Sequence, residues 1–230
     1  MHDELLEKHL SLVIEANKTT NITRISSWED GMLLHVKDSL LGLDALNACP
    51  AGRYADIGTG AGYPGIPLAI ESGRETLLVD SVAKKVQILD GFISELGLQN
   101  VSTYAGRIED LGRERPGQFT AITARALSKI SILLELASPL LQRGGRLICY
   151  KARVEQEELD HARVVAKQVG MELVDDKTFE LGENCRRILS YEKVAKPKLK
   201  LPGVRVWPRR SRCSAFDAAF ACRGGIFEFW

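Results

Sequence analysis

The sequence is poor in the features that mark several specialised classes of protein. Its 230 residues include only 5 cysteines, which are scattered and form no C-x-x-C pair, so neither a disulfide framework nor a zinc site is indicated. No uncharged apolar run approaches the length of a membrane-spanning helix, and the first residues show no signal peptide. The composition also excludes collagen-like, repeat-dominated and disordered chains. We therefore expect a cytoplasmic protein with reduced thiols, bound to no membrane and no metal.

The chain has almost no net charge. Its 31 Lys and Arg residues balance 30 Asp and Glu residues, and the formal charge of +1 gives no overall sign of a nucleic-acid partner. The charges are unevenly distributed, because nine of the basic residues and two of the acidic ones lie from Lys193 to Trp230, so this segment carries +7 and the rest of the chain −6. Bulk charge therefore neither supports nor excludes an RNA substrate.

Hydrophobic periodicity divides the chain into parts. Apolar residues recur at helical spacing over about residues 3–47, with a polar break at 17–23. From residue 53 short apolar strands alternate with helices, which is the pattern of a parallel α/β sheet. We expect an N-terminal helical cap at 1–50, an α/β core at 51–195 and a basic tail at 196–230.

The core pattern predicts individual elements. Strands are predicted at Tyr54–Ile57, Thr76–Val79, Val101–Tyr104, Phe119–Thr123 and Arg146–Tyr150, and helices at Pro64–Glu71, Val82–Leu96, Ile130–Leu141 and Glu155–Val169. Gly97 and the pair Gly144–Gly145 are expected to end helices. Two further strands, Met171–Val174 and Arg187–Glu192, have no helix between them and predict an antiparallel pair at the end of the sheet.

A glycine-rich turn follows the first predicted strand. Gly58, Gly60 and Gly62 allow a tight turn and the close approach of a ligand to the backbone, and Asp80 ends the next strand, where a carboxylate can accept hydrogen bonds from ribose hydroxyls. A dinucleotide site prefers G-x-G-x-x-G, but its third glycine position is Tyr63 here. The observed G-x-G-x-G leaves space for S-adenosylmethionine. The alternative is a glycine-rich turn without a cofactor.

Three other positions are candidates at the same edge of the sheet. Ile108 and Glu109 follow the third strand and suit an adenine base, although they fit the start of an ordinary helix equally well. Arg125 follows the fourth strand and can hold a phosphate or a carboxylate, the alternative being a surface ion pair. His35, Asp38 and Ser39 share one helix face, and we expect them to form hydrogen bonds between helices over the pocket rather than a catalytic triad.

These motifs resemble those of the glucose-inhibited division protein B family, the family of ribosomal RNA small-subunit methyltransferase G. The resemblance covers about residues 15–200 and rests on Asn21–Thr23, His35–Leu40, Asp56–Pro67, Asp80–Ser81 with Lys84–Lys85, Gly106–Leu111, Thr123–Ala126, Gly144–Leu147 and Arg187–Lys193. Beyond Pro202 the chain matches nothing in the family pattern.

The resemblance implies a class I S-adenosylmethionine-dependent methyltransferase with a Rossmann-like, mostly parallel sheet. Its implied activity is methylation of N7 of a guanine in 16S ribosomal RNA, and its implied partner is that RNA or the small ribosomal subunit. Carried over by motif, the cofactor contacts fall on Gly58, Tyr63, Ile108, Glu109 and Arg125. Gly60 and Asp80 join them on the physical argument above, and we expect the chain to act as a monomer.

The implied reaction needs no catalytic general base, because guanine N7 carries a lone pair and no proton. The enzyme then has to position the reactants and exclude water. Candidates for contact with RNA are Lys129, Lys151, Arg186 and Arg187. Two other hypotheses stay open at this stage: a methyltransferase of a small molecule or a protein, and a non-catalytic nucleotide-binding protein.

Overall fold

The computed structural model describes residues 2–198 and 201. Its sheet contains seven strands: β1 (Tyr54–Ile57), β2 (Thr76–Asp80), β3 (Val101–Ala105), β4 (Phe119–Arg125), β5 (Leu141–Lys151), β6 (Met171–Leu181) and β7 (Asn184–Lys193). The predicted tail, 196–230, lies outside the described residues except at 196–198 and 201.

The strand order β3-β2-β1-β4-β5-β7-β6 confirms the predicted fold class. Strands β1 to β5 pair in parallel, so their carboxyl ends meet at one edge of the sheet. Strand β7 then enters antiparallel between β5 and β6. The order reverses at β1, where chains of this architecture place their ligands.

Helices flank the sheet. They are α1 (His2–Asn17), α2 (Trp28–Gly31), a π-helical segment (Met32–Lys37), α3 (Asp38–Leu40), α4 (Leu43–Asn47), α5 (Gly65–Ser72), α6 (Ala83–Leu96), α7 (Ile108–Glu114), α8 (Ile130–Ala137) and α9 (Gln156–Val169). Buried apolar side chains of α7, α8 and α9 pack on one face, and those of α1, α4, α5 and α6 pack on the other. Within the described residues, no helix is long and apolar enough to cross a membrane.

The predicted helix Ile130–Leu141 was wrong at its end. The helix stops at Ala137, and Pro139 follows, which has no N–H to continue the helical hydrogen bonds. Leu140 and Leu141 are fully buried, and Leu141 already opens β5. Gly144 and Gly145 therefore both lie within β5 and end no helix, whereas Gly97 ends α6 in the left-handed conformation as predicted.

The antiparallel strands β6 and β7 are longer than the apolar runs from which they were predicted. Strand β6 runs to Leu181 and most of its residues are exposed, so no hydrophobic alternation marks it. Its backbone pairs with β7 from Met171↔Lys193 to Leu181↔Asn184, with one register shift. Backbone pairing across the hairpin, which the side-chain pattern does not show, thus defines this strand.

Candidate functional site

The glycine turn lies at the carboxyl end of β1. Gly58, Gly60 and Gly62 have φ values of 71°, 60° and 91°, in the left-handed region that favours glycine. A Cβ on Gly58 would also come within 2.7 Å of a side-chain carbon of Leu127, whereas one on Gly60 would meet no atom of the described residues within 4 Å. The backbone at Gly60 thus borders open space at the edge where ligands are expected.

The Asp56 side chain holds the glycine turn in place through hydrogen bonds. It is fully buried, and its Oδ2 accepts a hydrogen bond from the backbone N–H of Gly65 at 2.9 Å, while its Oδ1 accepts one from the Thr123 hydroxyl at 2.7 Å. Burial raises the pKa of the Asp56 carboxyl to about 6, and these hydrogen bonds oppose the rise. The carboxylate acts inside the fold, holding the turn against β4 and α5.

Asp80 reaches the turn from the end of β2. Its Oδ2 accepts a hydrogen bond from the Gly60 N–H at 3.2 Å, and its Oδ1 accepts one from the Val82 N–H at 2.9 Å. The backbone carbonyl of Asp80 also accepts from the Gly106 N–H at 3.1 Å, which draws the end of β3 to the same place. Asp80 therefore lies beside the glycine turn, as its predicted ribose-binding role requires.

Ile108 and Glu109 open α7 just beyond β3. Both are half-buried, and Ile108 packs partly against the core. The first N–H groups of a helix have no partner within the helix, so the backbone here offers donors at the ligand edge. The structure brings these two residues to the same edge as Gly58, Gly60 and Asp80.

Arg125 ends β4 and is bound to the N-terminal segment. Its Nη1 donates to the carbonyl oxygen of Leu34 at 2.9 Å and to Oδ2 of Asp38 at 2.7 Å. Its guanidinium carbon lies 5.6 Å from the centre of the Tyr63 ring. Its side chain is 14% exposed and Asp38 is 0% exposed, so this is a buried ion pair and not the surface pair that the sequence left open.

Three rings pack together beside the glycine turn, with His35 stacked on Tyr63 and His9 tilted by 31°. Tyr63 lies between His9 and His35, with ring centres 4.4 Å and 4.5 Å away. No motif of the sequence marks His9, although it lies on the apolar face of α1 beside Leu6, Leu10 and Val13. A histidine on that face is the signal that could have found it. The stack joins α1 and the π-helical segment to the residue that follows the last glycine.

Both histidines are neutral. His9 Nε2 donates to the carbonyl oxygen of Ala61 at 3.1 Å, and burial lowers the pKa of His9 from 6.5 to about 3. His35 Nδ1 lies 3.2 Å from Nη2 of Arg125 and must accept, because a guanidinium only donates. The pKa of His35 is lowered to about 3, mainly because the ring is buried and also because Arg125 is positively charged. The hydrogen bond between His35 and Thr23, 2.9 Å long, joins two parts of the N-terminal segment.

A family model described as rRNA small subunit methyltransferase G matches residues 2–188. The chain belongs to this family. It is 35% identical over 206 residues to ribosomal RNA small subunit methyltransferase G of Deinococcus radiodurans, covering 87% of this chain and 81% of that protein. It is 39% identical over 188 residues to the protein of the same name from Desulfitobacterium hafniense, covering 80% and 77%.

Solved structures show the same fold at low sequence identity. Geranyl diphosphate C-methyltransferase from Streptomyces coelicolor A3(2), solved with Mg²⁺, geranyl diphosphate and S-adenosyl-L-homocysteine, is 13% identical and aligns with a TM-score of 0.55. The alignment covers 69% of this chain and 77% of that one. The likeness places the core of this rRNA small subunit methyltransferase G family member among class I methyltransferase folds.

The four basic residues predicted to contact RNA lie in different surroundings in this family member. Lys129 is exposed just before α8. Lys151 pairs with Glu158 at 2.8 Å, and Arg187 pairs with Asp176 through two hydrogen bonds of 2.7 Å. Arg186 donates from Nε to Oδ1 of Asp38 at 2.5 Å. The sequence could not predict these acidic partners, because each comes from a different element.

Proposed function

We propose that this chain transfers a methyl group from S-adenosylmethionine to N7 of a guanine in 16S ribosomal RNA. Membership of the rRNA small subunit methyltransferase G family supports the reaction and the substrate class. The observation that carries the cofactor site is the hydrogen bond from the Gly60 N–H to the Asp80 carboxylate, beside open space at the carboxyl edge of the sheet.

The described residues fit S-adenosylmethionine. The Asp80 carboxylate is held by two backbone N–H groups, so its remaining lone pairs are fixed for ribose hydroxyls. Gly58 forms the turn, and Gly60 lets the cofactor approach the backbone. Ile108 and Glu109 offer helix-terminal donors and an apolar side chain for the base. Tyr63 and Arg125 complete the proposed set, with the Arg125 guanidinium next to the Tyr63 ring.

The bound cofactor would supply a methyl group on a positively charged sulfur, which the lone pair of guanine N7 can attack without losing a proton. The chain therefore needs no general base. Asp56, the buried carboxylate under the glycine turn, is already engaged by Gly65 and Thr123. The residues at the edge hold the two reactants in line and keep water out.

The target guanine has to be accessible. N7 lies on the major-groove edge, which is deep and narrow in an RNA helix, so we propose a base in a loop, held by stacking and by contacts to phosphates. Lys129, Lys151, Arg186 and Arg187 are the proposed contacts. We further propose that the chain acts as a monomer in the cytoplasm, where the free thiols of Cys49, Cys149 and Cys185 stay reduced.

Methyl transfer from labelled S-adenosylmethionine tests the function. The full-length chain is incubated with naked 16S ribosomal RNA, with small ribosomal subunits from cells lacking this activity, and with total cell protein, and labelled RNA is digested to nucleosides. We expect label in 7-methylguanosine only. Label in protein alone, or at another position of the RNA, would contradict the proposal, and the two RNA samples show which form is the substrate.

A further inference from the structure

Arg186 lies at the ligand edge of the sheet, although it comes from the antiparallel strand. Strand β7 pairs with β5 up to Lys151↔Arg187, so Arg186 is one residue beyond the end of β5. Neighbouring residues of a strand point to opposite faces. Arg186 therefore faces the side on which Asp38 lies, whereas Arg187 faces the other side and pairs with Asp176.

Asp38 divides its two carboxylate oxygens between two arginines. Oδ2 accepts from Nη1 of Arg125, and Oδ1 accepts from Nε of Arg186. The Asp38 side chain is 0% exposed, so its carboxylate has a fixed place between β4 and β7. The three residues come from three separate parts of the chain and meet at one point.

The two arginines use their nitrogens differently. Arg125 donates from Nη1 to two acceptors, and its Nη2 faces His35. Arg186 is held through Nε alone, and its Nη1 and Nη2 have no hydrogen-bond partner among residues 2–198 and 201. Its side chain is 16% exposed, so these terminal nitrogens are oriented but still reachable from solvent.

Among the described residues, the outer arginine of the cluster, Arg186, shares its only carboxylate with a second arginine, whereas Arg125 also lies near the buried carboxylate of Asp56. Two guanidinium groups face one carboxylate, and His35, which contacts Arg125, is neutral. A guanidinium that is largely removed from water and has unpaired terminal nitrogens is stabilised by an anion. The planar end of an arginine matches two oxygens of a phosphate, and an arginine already held at Nε loses little entropy on binding it.

We propose that Asp38 is a positioning residue that aims the terminal nitrogens of Arg186 at a backbone phosphate of the RNA substrate. This role rests on the proposed RNA methyltransferase function, and it makes Arg186 a residue that contacts the RNA backbone. Arg125 and Arg186 then act on different partners. Arg125 lies against Tyr63 and both of its terminal nitrogens are engaged, whereas those of Arg186 have no hydrogen-bond partner among the described residues.

The first test compares Arg186→Ala and Arg186→Lys with Arg53→Ala. Arg53 is an exposed arginine that precedes β1, at the opposite edge of the sheet, and forms one ion pair with Glu75. We expect Arg186→Ala to raise the KM for 16S ribosomal RNA or small subunits roughly tenfold or more, with kcat and the Kd for S-adenosylmethionine within about twofold. The slope of log Kd for RNA against log salt should fall by about 0.7–0.9, the loss of one phosphate contact. Arg186→Lys should not rescue KM, and Arg53→Ala should change nothing.

The second test asks whether Asp38 acts through Arg186. Asp38→Asn, checked for folding by its melting curve, should raise the same KM, and adding Asp38→Asn to Arg186→Ala should raise it no further. If Asp38→Asn does not fold, Asp38→Glu, which keeps the charge but moves the carboxylate away from Nε of Arg186, takes its place in the same comparison. An unchanged KM and salt slope in an active Arg186→Ala enzyme would overturn this proposal alone. A weaker Kd for S-adenosylmethionine with an unchanged KM for RNA would assign the anion to the cofactor and overturn it too. A wild-type chain that methylates no RNA would overturn the proposed function as well.

Discussion

Asp38 and Arg125 form a buried ion pair of 2.7 Å that joins the N-terminal segment to the carboxyl end of β4. The N-terminal segment is thereby part of the site, since Arg125 lies over Tyr63 and Tyr63 follows the glycine turn. Any movement of this segment would move the side chains that border the proposed cofactor.

The pair should contribute substantially to stability. We expect Arg125→Met to lower the free energy of unfolding by about 3 kcal/mol, the lower end of the range for breaking a buried pair, because Arg186 remains on the other oxygen of Asp38. Arg113→Ala, which breaks an exposed pair with Asp110, should cost at most about 0.5 kcal/mol. Urea unfolding at neutral pH measures both, and equal losses would contradict the buried role of Arg125.

The neutral histidines should make stability depend on pH. Their folded pKa of about 3 is below 6.5, so their contribution is complete above pH 6.5 and is lost as the pH falls towards 3. Each should add a slope of up to about 1.4 kcal/mol per pH unit in this window. Asp56 acts in the opposite sense, because its pKa is raised from 3.8 to about 6 and its contribution is lost as the pH rises through 6.

Urea unfolding of the wild type and of histidine variants between pH 7 and pH 4 measures the contribution of His9 separately from that of the other groups. We expect His9→Gln to reduce the slope of the unfolding free energy against pH by the equivalent of about one proton, because glutamine does not titrate. The variant should still fold, since glutamine can donate to the Ala61 carbonyl as His9 does. His161→Gln, at an exposed position of α9, should follow the wild-type profile. Parallel profiles for the wild type and His9→Gln would show that His9 is not buried in its neutral form.

Gly60 and Gly73 offer a matched test of the cofactor site. Both are in the left-handed conformation, with φ of 60° and 66°, and a Cβ on either would meet no atom within 4 Å in the part of the chain that the structure describes. Gly60→Ala and Gly73→Ala should each cost about 1–2 kcal/mol of stability, which is the backbone strain. Only Gly60→Ala should weaken S-adenosylmethionine binding, by about tenfold or more in calorimetry. If the two variants bind S-adenosylmethionine with equal affinity, Gly60 does not border the bound cofactor.

The Tyr63 hydroxyl should be dispensable. It is buried and has no hydrogen-bond partner among the described residues, whereas the Tyr54 hydroxyl lies 2.6 Å from the hydroxyl of Thr123. We expect Tyr63→Phe to raise the free energy of unfolding by about 1 kcal/mol and Tyr54→Phe to lower it by about 1–2 kcal/mol. Thermal and urea unfolding check both, and a loss on Tyr63→Phe would indicate a bound partner for that hydroxyl.

The sequence predicted most of the sheet because its strands have a local signature. Strand β1 was predicted with its observed bounds, and the ends of β2 and β3 differ by one residue, since each is a short buried run between clear turn signals. The prediction failed where local patterns were ambiguous. The apolar run after Ile130 fits a helix or a strand, and the polar residues of β6 show no alternation.

The sequence by itself determined the family, the fold class, the glycine turn and the position of Asp80, because each depends on residues that are close together in the chain. Only the tertiary structure decided the partners of the charged and aromatic side chains. Asp38 meets Arg125 and Arg186, and His9 meets Tyr63, across long separations in sequence. Such pairs depend on which faces of the helices and strands pack together. Hydrophobic periodicity predicts which face of an element points towards the core, but it does not predict which polar side chains of other elements lie opposite that face.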